Sequence, residues 1–271
     1  MQRVDLIFPA PAEQLAADEA LLDWCEAGHG AETLVFWEPR DTFVVLGYAN
    51  RVATEVNVAA CEARGVPILR RCSGGGTVVQ LPGGLNYSLI LRIAENGPMR
   101  NITTTNRFIM ERNCEAVQAA LGSPEPGVFV RGHTDLAVAV PVTSSIPVPP
   151  GGSPEGTASK TFGTVPPIFR KVAGNSQRRR KRFLLFHGTF LLNCDLRMIG
   201  ELLAMPSWQP DYRANRPHAE FVTNLKLPAA AVKAALAQAW NAEGELANPP
   251  LVEIEKLARE KYATHAWNHK F

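Results

Sequence analysis

Several things are missing from this 271-residue chain, and each absence excludes something. No run of residues is apolar enough to span a bilayer, and the opening stretch MQRVDLIFPAPAEQLAADEA has no secretion-signal core. No membrane association is therefore expected, and a cytoplasmic location is. Cysteine is sparse and unpatterned: Cys25, Cys61, Cys72, Cys114 and Cys194 form no C-x-x-C and have no histidine at metal-ligand spacing. This excludes a disulfide scaffold and points to a reducing compartment. A net charge of only +2 argues against wholesale nucleic-acid binding. No internal repeat is present.

What is present suits a globular core, since 46 % of residues are hydrophobic. Apolar spacing predicts an amphipathic helix over 12–27, with Leu15, Leu22 and Cys25 sharing a face. Short β-rich runs follow at 33–37 and 43–47, a helix at about 54–64, and strands at 66–69, 78–79 and 85–91. A helix containing Ile109, Ala116, Val117, Ala120 and Leu121 ends at Gly122 and Pro124. Further strands are read at 128–130, 136–140, 183–186 and 189–192, and helices near 196–204, 229–242 and 251–262. Strands mixed with flanking helices give an α+β domain of mixed or antiparallel sheets, taken as one unit over 1–271. Residues 141–167 hold seven prolines and a Gly/Ser-rich middle, the composition of a flexible surface insertion.

The chemically richest stretch is Arg70-Arg71-Cys72-Ser73-Gly74-Gly75-Gly76. Three glycines let backbone approach a ligand closely and present N–H groups, while adjacent guanidiniums attract an anion. It is neither a Walker loop nor a G-x-G-x-x-G turn. On local residues alone, a ligand loop and a plain hairpin turn are equally good readings.

In order along the chain, Arg70–Gly76, Leu85-Asn86-Tyr87-Ser88, Asp135-Leu136, Lys171–Gln177, His187-Gly188-Thr189 and Val222-Thr223-Asn224-Leu225 resemble lipoate–protein ligase A. That family belongs to the biotin/lipoate ligase and octanoyltransferase superfamily. The resemblance runs from about residue 12 to the end, and the tail Tyr262–Asn268 resembles the close of its catalytic domain. It implies that lipoate or octanoate is activated by ATP to acyl-AMP and passed to a lysine of a lipoyl carrier domain. Such carriers are 2-oxoacid dehydrogenase E2 or glycine cleavage H-protein-like domains.

The same resemblance assigns roles. Lys171 would contact the acyl carbonyl and a phosphate oxygen, where a fixed ammonium stabilises developing negative charge. Asp135 would hold Mg²⁺ or orient the lysine; by itself, Thr134-Asp135 also reads as an Asx turn. Gly74, Gly75 and Gly76 would admit the adenylate, Arg70 or Arg71 would bind phosphate, and Asn86 and His187 would line the pocket. His187 reads equally as a satisfied core histidine.

The chain departs from the family pattern in three places. The accessory domain that many ligases carry after this tail is expected to be absent, or supplied as a separate polypeptide. Gln80 stands where many members have histidine, and the 141–167 insertion lies just before Lys171. Transferases of the superfamily use a cysteine nucleophile. One class places it three residues before His-Gly, here Leu184; another places it between the Asp-Leu strand and the lysine, where 137–170 has none. Cys72 is the one cysteine near the glycine loop, and as a small buried side chain it reads more simply as structural. Ligase chemistry is thus preferred over carrier-to-carrier transfer, with a non-catalytic carrier-binding module as a third reading.

The basic block Arg178–Arg182 follows Gly174-Asn175-Ser176-Gln177, which reads as a turn. Strand alternation would place Arg178, Arg180 and Arg182 on one face, as a dock for an acidic carrier or as a solubilising hairpin.

Overall fold

The computed structural model describes residues 1–140 and 167–271. The insertion expected at 141–167 lies outside the described residues apart from Pro167. Eleven strands are described: β1 (Gln2–Asp5), β2 (Thr33–Trp37), β3 (Phe43–Leu46), β4 (Ile68–Arg70), β5 (Val78–Gln80), β6 (Gly84–Arg92), β7 (Val128–Arg131), β8 (Asp135–Val140), β9 (Ile168–Arg179), β10 (Phe183–Leu191) and β11 (Gly244–Glu245). Eight form one mixed sheet in the order β11-β1-β2-β6-β10-β9-β8-β7, and β4-β3-β5 form a second. The fold is the α+β arrangement of mixed sheets and flanking helices that the sequence predicts.

Period-two alternation makes the central strands two-faced. On β6, Leu85, Tyr87, Leu89 and Leu91 enter one core, and on β10 Leu184, Phe186 and Phe190 join them. That core packs under the helices Ile102–Leu121 and Ala229–Ala239. Ile90, Phe183 and Leu185 point the other way, into a second core with helix α1 (Pro11–Glu26) and with Val45 and Leu69 of the small sheet. Burying each of these Leu, Ile or Phe side chains contributes about 1.5–3 kcal/mol. Further along that second face the residues become polar: Ser88 and Asn86 on β6, paired across the ladder with His187 and Thr189 on β10. A one-residue slip would drive all four into the apolar core, so register and site are set by the same pattern.

The structure differs from the sequence reading in several elements. Phe183–Leu191 is one strand, not two, because Gly188 stays in the ladder. A Cβ there would sit 1.8 Å from Asn175 Oδ1, so the glycine marks close strand packing rather than a break. Likewise Gly174–Gln177 is no turn: β9 runs through it to Arg179, and the chain reverses at Arg180–Phe183. The helix expected at 54–64 is two short ones, Val52–Glu55 and Val58–Ala63, the second capped by Asn57.

The C-terminal segment is tied back to α1 and β4. Glu19, buried on α1, accepts from Lys261 Nζ at 2.5 Å and Tyr262 Oη at 2.7 Å, and pairs with Arg180 at 3.2 Å. Burial pushes the Glu19 carboxyl up, but those hydrogen bonds and charges outweigh it and hold the group below its ordinary value. A depressed carboxylate contributes stability above its unfolded pKa and loses it as pH falls through the folded one. Wild-type stability should therefore drop on acidification below about pH 4.3. Glu19→Gln should be less stable at neutral pH and show a flatter acid limb in urea melts taken across pH.

Candidate active site

The glycine loop between β4 and β5 is held from inside by Arg71. Its Nη2 donates to the carbonyls of Gly74 and, at 2.8 Å, Gly76; its Nε donates to Ser73 Oγ at 3.0 Å. Ser73 Oγ is also hydrogen-bonded to His187 Nε2, 2.6 Å away. His187 then donates from Nδ1 to Asp18 Oδ2 at 2.6 Å, and Asp18 Oδ1 accepts from Ser88 Oγ at 2.6 Å. One polarised chain thus joins the loop, β10, α1 and β6. Burial lowers Arg71 to about 10, which leaves it charged at neutral pH.

A cavity opens over this chain, with Leu15, Trp37, Val45 and Val78 as apolar walls and Asp18, Arg71, Asn86, Ser88 and His187 as its polar side. Gln80 and Asn86 exchange two amide hydrogen bonds, both 2.9 Å, so the polar groups on that side are satisfied by each other. A second, wider cavity contains Gly75, His133, Asp135, Trp208, Arg213 and Phe221. The two share Gly76, Thr77, Val78, Lys171, Gly174, Asn175 and Thr189. Lys171 therefore stands where they meet. Its Nζ lies 2.7 Å from Asp135 Oδ1, while Tyr212 Oη donates to Asp135 Oδ2 at 2.9 Å. Burial, then the Asp135 charge, push Tyr212 up, so it remains a donor.

The residues singled out from sequence are distributed unevenly. Lys171, Asp135, Asn86, His187, Arg71 and Gly76 line one or both cavities, and Gly75 lines the second. Gly74 contributes its carbonyl to Arg71 and to Ser176 Oγ. Arg70 lies apart: fully buried, it donates to the carbonyls of Gly47, Tyr48, Asn50, Trp267 and Asn268, which fastens the tail to the small sheet. Of the basic block, Arg180 is engaged by Glu19 and Asp23, and Arg178 reaches the Cys72 carbonyl at 3.3 Å. The Arg182 backbone N–H donates to Glu26 at 2.9 Å, and its side chain is exposed.

Sequence reasoning missed Asp18, Ser73, Asn175 and Tyr212. Asp18 carried a signal, lying one helical turn after Leu15 on the buried face of α1. Tyr212 carried none. Asp135 is the lone carboxylate at the junction, and among the described residues no cluster of three metal-ligating side chains exists. It fits Mg²⁺ in the usual way for that ion, as one protein ligand beside phosphate oxygens and water.

Two cavities that meet at Lys171 on a mixed sheet, with Gly76 of the glycine loop lining both, belong to a catalytic domain of the lipoate ligase fold. The chain belongs to the lipoyl protein ligase A/B catalytic domain family, whose profile matches residues 10–240. It is similar to the octanoyltransferases LipM of Geobacillus kaustophilus, 26 % identical with 98 % of this chain and 97 % of that protein covered, and of Exiguobacterium sibiricum, 28 % identical with 96 % and 95 % covered. In fold it is similar to a bipartite lipoate protein ligase of Thermoplasma acidophilum, studied with its E2 lipoyl domain (TM-score 0.71, 21 % identity, 99 % and 96 % covered). It is also similar to a lipoate–protein ligase A bound with ATP (TM-score 0.69, 22 % identity, 99 % of each chain). The protein is thus an enzyme of the ligase and acyltransferase group.

Gly174 is the clearance for Lys171: a Cβ there would lie 2.6 Å from Nζ, the movable end of the side chain. Gly174→Ala should displace the ammonium with little strain. Acyl transfer should fall about a hundredfold, the usual cost of misplacing a reacting group by ~1 Å. The urea midpoint should change by the equivalent of about 1 kcal/mol or less.

Proposed function

We propose that the protein is an ATP-dependent lipoate–protein ligase acting on lipoate or octanoate, with a lipoyl carrier domain as acceptor. The observation that carries this reading is the position of Lys171 between two cavities that none of the five cysteines lines. The apolar-walled cavity suits the acyl chain, and the second suits the nucleotide. In the first step the carboxylate oxygen attacks the α-phosphorus of ATP and the bond to pyrophosphate breaks. In the second, the unprotonated carrier amine attacks the acyl carbon, and AMP leaves with the electrons of the C–O bond. Lys171 stabilises the oxyanion formed at the carbonyl, and Asp135 with Tyr212 holds the ammonium in place. Mg²⁺, with Asp135 as one ligand, would offset phosphate charge.

Arg71 supports the reading indirectly, by shaping the glycine loop, whose Gly75 and Gly76 line the cavities. The carrier-docking reading narrows to Arg178, Arg182 and the exposed Lys181, since Arg180 is neutralised by α1.

A second reading, acyl transfer between carriers without adenylation, is favoured by the near full-length match to octanoyltransferases. Intact-mass measurement of an apo lipoyl domain with this protein, lipoate and Mg²⁺ separates the two. The ligase reading expects a lipoyl mass gain that needs ATP and is lost in Lys171→Ala. A gain only from an octanoylated carrier would replace it with the transferase reading.

Cys72 tests the same question. It is buried, and burial followed by the charges of Glu19 and Asp18 pushes its thiol up to about 12. Cys72→Ala should keep ATP-dependent modification within about twofold of wild type. Native protein at pH 8 should resist alkylation at this position. A hundredfold loss in Cys72→Ala that also abolished transfer from an acylated carrier would make it a nucleophile.

A further inference from the structure

A second chain of hydrogen bonds reaches the site from the helix-covered core. Trp240, which directly follows helix Ala229–Ala239, donates its indole N–H to Asn113 Oδ1 at 2.8 Å. Asn113, on helix Ile102–Leu121, donates from Nδ2 to Tyr87 Oη at 2.8 Å. Tyr87 on β6 donates to Asn175 Oδ1 at 2.7 Å, and Asn175 Nδ2 donates to the Thr134 carbonyl at 2.8 Å. The two ends fix the polarity of the whole chain. An indole N–H can only donate and a carbonyl can only accept, so each amide between them has one orientation.

The link across the sheet exists because of Gly188. Tyr87, Gly188 and Asn175 are register partners on the adjacent strands β6, β10 and β9. With no side chain in the middle, the outer two meet over it; a Cβ at Gly188 would lie 1.8 Å from Asn175 Oδ1. Asn113, Tyr87 and Trp240 are buried, so solvent does not make good a lost partner.

Asn175 lines both cavities, yet its amide hydrogens are already engaged. One Nδ2 hydrogen goes to Thr134 and the other faces Met110 Sδ at 3.4 Å. What the residue holds is the frame around Lys171. Its backbone N–H also donates to the Thr134 carbonyl at 3.0 Å, and its own carbonyl accepts from Thr134 Oγ1 at 2.8 Å. Thr134 precedes Asp135, which pairs with Lys171, and Asn175 follows Gly174, which gives the ammonium its clearance.

We propose that Asn175 is a positioning residue for acyl transfer and that the Trp240–Asn113–Tyr87 relay sets its amide. Side chains of the core helices thereby fix the Asp135–Lys171 pair. The proposal rests on Lys171 serving the acyl carbonyl, as in the ligase reading, and applies equally where the acyl donor is a carrier.

The test is steady-state acyl transfer to an apo lipoyl domain by wild type, Asn175→Ala, Tyr87→Phe and the double variant. The donor is the one wild type accepts, lipoate with ATP or an octanoylated carrier. Asn175→Ala should lower kcat about 10- to 100-fold and leave KM for the lipoyl domain within about twofold. Tyr87→Phe keeps the ring in the core and should lower kcat about 3- to 10-fold. In the Asn175→Ala background the tyrosine change should have no further effect, because it acts through Asn175. Wild type that turns over only the octanoylated carrier overturns the ligase reading and leaves the relay to be decided by the variants. Unchanged kcat in Tyr87→Phe, or an equal loss in both backgrounds, overturns the relay, and Tyr87→Phe alone decides it if Asn175→Ala does not fold.

Discussion

The hydrogen-bonded chain from Ser88 through Asp18, His187 and Ser73 to Arg71 is what the rest of the site depends on. Every member is buried, so each donor or acceptor left without its partner would cost about 1–3 kcal/mol. Four separate elements are therefore locked in one relative position by groups that cannot be satisfied any other way. The glycine loop hangs from the end of this chain, since Arg71 holds its carbonyls, and the polar side of the first cavity is the chain itself. The position of the glycine loop relative to α1, β6 and β10 is thus set by this chain.

Lys171 illustrates the consequence. Its strand brings it to the junction of two cavities, but Asp135 on the neighbouring strand and the missing side chain at Gly174 place its ammonium. Gly188 serves a similar purpose for Asn175, whose amide is fixed by Tyr87 and Thr134. Two glycines that look like chain breaks are spaces reserved for polar side chains. An ammonium in such a setting can stabilise an oxyanion whether the acyl donor is an adenylate or a carrier. None of the five cysteines lines either cavity.

Much of the architecture was legible from residue order. The strands at 33–37, 43–46 and 84–92 were found as short apolar runs, which suits strands buried on both faces, and the helix at 11–26 as a longer run of good helix formers after Pro11. Lys171, Asp135, Asn86 and His187 were recognisable as an ordered set of motifs. The reading failed where a local pattern has two physical causes. Arg70 and Arg71 look alike beside three glycines, but one ties the C-terminal tail to the small sheet and the other shapes the loop. The arginine block looks like a free basic patch until Glu19 and Asp23 meet Arg180 from a helix far away in sequence.

The amino-acid order by itself determined the secondary-structure periodicities, the two faces of β6 and β10, and which residue types were available for catalysis. Those are short-range properties, set by side-chain spacing along one element. Tertiary structure alone decided that Arg71 holds the glycine loop while Arg70 holds the tail, that Asp18 and Ser73 flank His187, and that Tyr212 supports Asp135. These depend on contacts between residues distant in the chain, and the burial that makes such contacts strong exists only once the sheets and helices have packed.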